Sequence, residues 1–145
     1  MAIRYHHTQR GTQILATMAV AAILSASIAF MNPSSPARWL LLVGFAVGFV
    51  ELAWLFSSLT VAVNEHHVLW YFGPGLWRYR IELANIKTTQ AVRNSFWDGF
   101  GIRMRPGFRL YNVSGLDAVE LRLKTGDIRR IGSDDAPGLA SALKA

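Results

Sequence analysis

The sequence predicts an α+β membrane protein: an N-terminal helical hairpin, then an antiparallel β domain that ends in one short helix. Three observations carry this prediction. The first 63 of 145 residues hold only Arg4, Arg10, Arg38 and Glu51 as formally charged groups, whereas the remainder holds twelve basic and eight acidic ones. The uncharged part contains two apolar runs of bilayer length. Beyond it the hydrophobic pattern changes to the two-residue alternation of strands. With 52% apolar residues the chain is no disordered segment, and without cysteine it holds no disulfide scaffold and no thiol chemistry.

The first helix is read over residues 14–31, which carry no formal charge and reach about 27 Å, close to a hydrocarbon core of about 30 Å. The second apolar run covers residues 39–63 and is interrupted only by Glu51; its helix is expected over about residues 39–60. Between them Asn32-Pro33-Ser34-Ser35-Pro36-Ala37-Arg38 breaks the helical path, and so short a connection makes the spans antiparallel neighbours. Residues 1–63 are thus expected to form a tail and hairpin, and residues 64–145 a separate domain. Arg4 and Arg10 precede the hairpin, Arg78 and Arg80 follow it, and the loop holds only Arg38, so both termini are expected in the cytoplasm. The competing reading makes residues 14–31 a signal peptide cleaved near Ser27-Ile28-Ala29, although this apolar run exceeds a usual signal core.

Helices meet in lipid through small residues and polar bridges. Gly44 and Gly48 form a Gly-x3-Gly pair, Glu51 follows on nearly the same face, and the first helix offers Ala22, Ser25, Ala26 and Ala29. These stripes are expected to close on each other or on another subunit, with Glu51 near mid-membrane at the depth of Ser25. An acidic group there is a functional candidate by default. The hairpin has no other acidic residue, lysine or intramembrane histidine to continue a proton path. A protonated packing role is therefore weighed against partner recognition or ion handling.

The second half is punctuated by turns. Strands are expected over residues 59–63 and 68–72, then after Gly73-Pro74-Gly75 over 76–83, and next over 86–92. Two hairpins follow, 100–104 with 108–113 around Pro106-Gly107, and 118–124 with 127–132 around Thr125-Gly126. Ser133 is the expected N-cap of a final helix that sets Leu139 and Leu143 on one face. Such an arrangement forms a partly open barrel or two packed sheets.

Several stretches carry a resemblance: Gly99-Phe100-Gly101-Ile102-Arg103, Arg105-Pro106-Gly107, Leu110-Tyr111-Asn112-Val113-Ser114-Gly115, Ala118-Val119-Glu120-Leu121, and Arg130-Ile131-Gly132-Ser133-Asp134-Asp135. Together with the two preceding helices, they resemble small bacterial two-transmembrane-helix proteins with a pleckstrin-homology-like domain. Phe100 stands where that family more often has Trp. The resemblance implies a pleckstrin-homology-like fold held on the cytoplasmic face of the inner membrane, and it brings no catalytic residues with it.

No Gly-x-Ser-x-Gly elbow and no glycine-rich phosphate loop occurs, and no nucleophile–base pair can be nominated, so a non-enzymatic role without a cofactor is expected. His6-His7 and His66-His67 point to opposite faces within each pair, which is poor metal geometry. Asn112-Val113-Ser114 reads as a turn feature rather than a glycosylation acceptor. A three-residue loop at 105–107 would pair Met104 with Phe108, and would set Arg103 and Arg109 together on the outer face with Arg105 at the tip. Their partners are either Glu120, Asp127 and Asp98 of the same domain or, with Arg78 and Arg80, anionic lipid headgroups. Phe96, Trp97 and Phe100 are expected to pack beneath the barrel, Trp70 and Trp77 to fill it, and Trp39 to anchor at the interface. The soluble half carries only four excess positive charges without a basic run, which argues against nucleic acid. The expected partners are membrane lipids and either a second copy or another membrane protein. The expected role is a binding or scaffold module, with lipid-headgroup sensing by the arginine face as its alternative.

Overall fold

The computed structural model describes residues 3–31 and 34–144. Asn32 and Pro33 of the expected hairpin loop lie outside the described residues. The elements are β1 (Ile3–Arg10), α1 (Thr12–Met31), α2 (Pro36–Leu55), β2 (Ser58–Asn64), β3 (His67–Phe72), β4 (Arg78–Glu82), β5 (Ile86–Arg93), β6 (Gly101–Arg105), β7 (Phe108–Asn112), β8 (Asp117–Leu123), β9 (Ile128–Gly132) and α3 (Ala136–Ala142). They form a four-stranded sheet of order β1-β2-β3-β4 and a five-stranded sheet of order β5-β8-β9-β7-β6, here sheets A and B.

The largest departure from expectation is β1, in a segment read as a tail. It pairs antiparallel with β2 from Tyr5 opposite Val63 to Arg10 opposite Ser58. The helical hairpin is consequently an insertion between two paired strands, and sheet A draws on both sides of the expected 63/64 division. Pro36 opens α2 at its first turn, where its missing N–H costs nothing, so this helix starts three residues earlier than expected and ends at Leu55 instead of continuing to residue 60. Each helix has 20 residues and is long and apolar enough to cross a membrane.

Both junctions between hairpin and sheet are tight. The Gly11 N–H donates to the Ser57 carbonyl at 2.8 Å, and a Cβ at Gly11 would stand 2.5 Å from the Phe56 carbonyl oxygen. The Gly73 N–H donates to Ser58 O at 2.9 Å, and a Cβ there would lie 2.5 Å from Leu55 O at a φ of +43°. The first turn of α1 buries Ile14 in the domain core, and Met18 packs against that core from the next turn. No flexible linker separates the hairpin from the sheets.

Between the sheets the inward residues of β2 and β3, Leu59, Val61, Val63, Val68, Trp70 and Phe72, meet Tyr111, Val119, Leu121 and Ile131 from sheet B. Aromatic rings join the layers: Tyr111 lies 5.1 Å from Trp70 and 4.7 Å from Tyr79, centroid to centroid. Leu139 of α3 and Leu143 just past its end close one side of this core, as their spacing predicts. The N-cap of α3 is Asp135, not Ser133: its carboxylate accepts from Gly138 N at 3.1 Å. Asp135 also accepts from the Tyr5 hydroxyl at 3.1 Å. His7 pairs with Asp134, and Gln9 donates to Ser114 O at 2.7 Å. These bonds fasten β1, the edge strand of sheet A, to the start of α3 and to the turn after β7.

Not every strand pair is antiparallel. β7 and β9 run parallel, from Phe108 opposite Ile128 to Tyr111 opposite Ile131. Pro106-Gly107 forms a two-residue turn with Arg105 opposite Phe108 and Met104 opposite Arg109, so the expected three-residue loop does not form. Its rationale was burial of Met104, which instead lies 70% exposed on the edge strand. Trp77 is also exposed, whereas Trp70 fills the core as expected. Phe96 and Trp97 are exposed as well, and only Phe100 of that aromatic group packs against the core.

The two junction glycines yield a test of this rigid connection. Gly11→Ala and Gly73→Ala each force a methyl group against backbone carbonyls and are expected to cost about 1–3 kcal/mol. Gly44→Ala enters open space and costs nothing comparable. Thermal unfolding followed by near-ultraviolet circular dichroism measures the difference.

Candidate binding surfaces

On the hairpin, Ser25 lies half-buried and Ala29 fully buried. Gly44 and Gly48 do not meet them. A Cβ added at either glycine would find no atom within 4 Å, and Glu51 is exposed. A shallow depression lined by Ala37, Leu40, Leu41, Gly44 and Phe45 marks the missing side chain of Gly44. The small-residue stripe of α2 therefore turns away from α1. Depth differs from expectation too. Glu51 is four residues from the end of α2, about 6 Å along the helix axis, while Ser25 is 13 residues into α1, about 20 Å. The two do not share a level, and Glu51 belongs to the sheet end of the hairpin rather than its middle.

The two-residue turn disperses the arginine group. Arg103 and Arg105 lie on the face of sheet B that carries Phe108 and Leu110, while Arg109 lies on the opposite face with Ile102 and Tyr111. Arg105 stands 4.0 Å from Asp98. The Arg103 guanidinium lies against Gly99, where a Cβ would be 2.7 Å from its terminal nitrogen. The end of β7 that continues into Ser114 is the end nearest the helices, because Ser114 and Gly115 bond Thr12 and Gln13 of α1. The Pro106-Gly107 tip is thus at the far end. Arg80 is there too, beside Glu65, His66, His67 and Glu82. Of the five arginines taken as lipid ligands, only Arg78 lies at the hairpin end, as the first residue of β4.

Glu120 carries an arrangement the sequence did not single out as a unit. It is 5% exposed on the outer face of sheet B. There it accepts from Arg122 Nε at 2.9 Å and from Arg130 Nε at 2.9 Å. Arg130 also donates to Asn94 Oδ1 at 3.2 Å and lies over the Phe108 ring at 5.2 Å. These contacts pin the loop after β5 to the sheet. Asp127 is held by Arg129 at 3.1 Å. Two of the three acids expected to neutralise the exposed arginines are therefore engaged elsewhere. A sequence signal existed in the alternation of Glu120 with Arg122 and of Ile128 with Arg130, which places three charges on one face of adjacent strands.

The remaining motif residues have local roles. Asn112 donates to Gly115 O at 2.9 Å and accepts from Ser114 N at 3.3 Å, shaping the turn after β7. Asn64 accepts from the backbone N–H groups of His66 and His67, so this histidine pair belongs to a turn at the far end, remote from the His7–Asp134 pair. Comparison with protein-family models and with curated proteins finds no match.

Burial pushes the Glu120 carboxyl up, but the hydrogen bonds and charges of Arg130 and Arg122 outweigh it and hold the group below the ordinary range. A lowered native pKa contributes stability above the unfolded value, and that stability is lost as the pH falls through the native one. Glu120→Gln is expected to cost about 1.5–3 kcal/mol at neutral pH, with the gap to the parent narrowing on acidification through the carboxylate range. Urea unfolding at a series of pH values checks both.

Proposed function

We propose that the chain is a non-enzymatic, membrane-anchored binding or scaffold module that assembles through α2 with a second copy or with another membrane protein. In this reading α1 and α2 span the bilayer, both termini face the cytoplasm, and the two sheets with their closing helix form a pleckstrin-homology-like domain at its surface. Support for the span comes from the outward side chains of the hairpin: Ile23, Leu24, Phe30, Leu41, Phe45 and Val50 are all more than half exposed among the described residues. Lipid is the solvent that tolerates such a surface.

The observation that carries the assembly reading is the direction of the Gly44, Gly48 and Glu51 stripe, away from α1 and open along its length. Glycines at this spacing let a second helix approach closely, and a carboxyl group beside them supplies a polar bridge. Because Glu51 is one turn from the helix end, it suits a contact near the headgroup layer better than an ion path through the core.

Native mass spectrometry of the full chain in mild detergent tests this. A discrete oligomer or an added protein mass is expected, with conversion to monomer in Gly44→Leu/Gly48→Leu. Glu51→Leu is expected to weaken assembly by about 0.6–2 kcal/mol and Glu51→Gln by less. A monomeric parent, or equal assembly of Glu51→Leu and Glu51→Gln, overturns the role given to these residues.

A further inference from the structure

The hairpin end of sheet A carries an exposed apolar step, with an arginine on each edge strand. The loop between β3 and β4 holds Leu76 and Trp77, exposed at 62% and 56%, and the last turn of α2 holds Trp54, exposed at 59%. Two of these three side chains belong to a loop that the fold does not leave free to move. Gly73 presses its α-carbon onto the Trp54 and Leu55 carbonyls, where a Cβ would stand at 2.7 and 2.5 Å, and its N–H is bonded to Ser58 O. The loop therefore starts at the level where α2 ends.

Charge at this end is of one sign within sheet A. Arg10 closes β1 opposite Ser58, and Arg78 opens β4 opposite Tyr71. The Arg78 guanidinium lies over the Tyr71 ring at 5.4 Å, and its Nε donates to Gly75 O at 3.4 Å. Neither arginine has an ion pair among the described residues. The acids of the sheet A strands and turns, Glu65 and Glu82, are at the far end. Asp117, on sheet B, is paired with Arg93 at 3.5 Å. Glu51, one turn inside α2, is the nearest acid on the hairpin.

We propose that this surface is a seat on an anionic lipid leaflet, with Leu76 and Trp77 entering the headgroup layer beside Trp54 and with Arg10 and Arg78 contacting lipid phosphate. It rests on the membrane-spanning reading of the hairpin and is independent of the assembly reading. A helix that crosses a bilayer fixes where the interface lies, and the Gly73 contact puts the loop at that level. Tryptophan favours this layer because its ring is apolar and its N–H polar. Arginine held beside it meets phosphate oxygens with a planar, multiply donating group. The seat fixes the distance of the domain from the bilayer, since the 73–77 loop is held against the end of α2.

The chain has no cysteine, so single cysteines report position cleanly. Leu76→Cys, Leu41→Cys and Thr125→Cys variants of the full chain carry an environment-sensitive fluorophore in phosphatidylcholine vesicles with and without phosphatidylglycerol. Thr125 is in the exposed turn between β8 and β9 at the far end. The label at residue 76 is expected to be blue-shifted and quenched by headgroup-level nitroxide lipid, and the label at 125 by aqueous iodide. Adding Arg10→Glu and Arg78→Glu is expected to remove the extra blue shift that the anionic vesicles give at residue 76. Iodide quenching at 76 with lipid quenching at 41 overturns the seat and leaves the span standing; iodide quenching at both positions overturns the two together. An unchanged blue shift in the arginine variant overturns the phosphate contact.

Discussion

The pairing of β1 with β2 is the constraint on which the rest of the molecule depends. These strands flank the helical hairpin in sequence and are hydrogen-bonded neighbours in sheet A, so both helices leave the sheet from adjacent points. Antiparallel α1 and α2 follow from this, because their inner ends are already held side by side. The Gly11–Ser57 hydrogen bond closes the junction, and burial of Ile14 carries the domain core into the first helical turn. An anchor joined through a flexible linker would leave the domain free to turn, but a hairpin inserted into a sheet does not.

Much of the β domain is legible in the sequence because apolar inward residues alternate with outward ones in β2, β3 and β8, whereas β7 turns Phe108 and Leu110 outward and Tyr111 inward. β1 is not, since its inward positions are Tyr5, His7 and Gln9, polar enough to hide the period. Those side chains are inward because they have specific partners, Asp135, Asp134 and the Ser114 carbonyl, and sequence distance conceals them. The end of α2 fails for the opposite reason. Residues 39–63 form one apolar run, and a buried strand such as β2 reads the same as a helix over so few residues. Its boundary is set by the Gly11 and Gly73 contacts, which no local pattern reveals.

The arginine group shows how one structural choice propagates. Shortening the 105–107 loop by one residue changes which side chains of β6 and β7 share a face, and it moves Arg109 from the company of Arg103 to that of Met104 and Ile102. An edge strand accepts an exposed Met104 because one side of it has no neighbour to bury against. Burial was thus a sound criterion for the central strands and a poor one for β6. Meanwhile Glu120, the acid nearest the middle of that face, is fully committed to Arg122 and Arg130, which leaves the loop after β5 fixed and its Phe96 and Trp97 outward.

Position along the hairpin axis separates the charged residues into two sets with different chemistry. At the far end Arg80 lines one depression with Glu65 and Glu82 and Arg105 stands near Asp98, so acids accompany these arginines. Arg10 and Arg78, on the two edge strands of sheet A, have no ion pair among the described residues, and exposed Trp54, Leu76 and Trp77 lie at the same end. Exposed apolar side chains such as Trp54, Leu76 and Trp77 gain nothing from water, whereas a headgroup layer accommodates them together with arginine. If the helices span a bilayer, the exposed apolar residues of the β domain's hairpin end are at a level where water gives way to lipid.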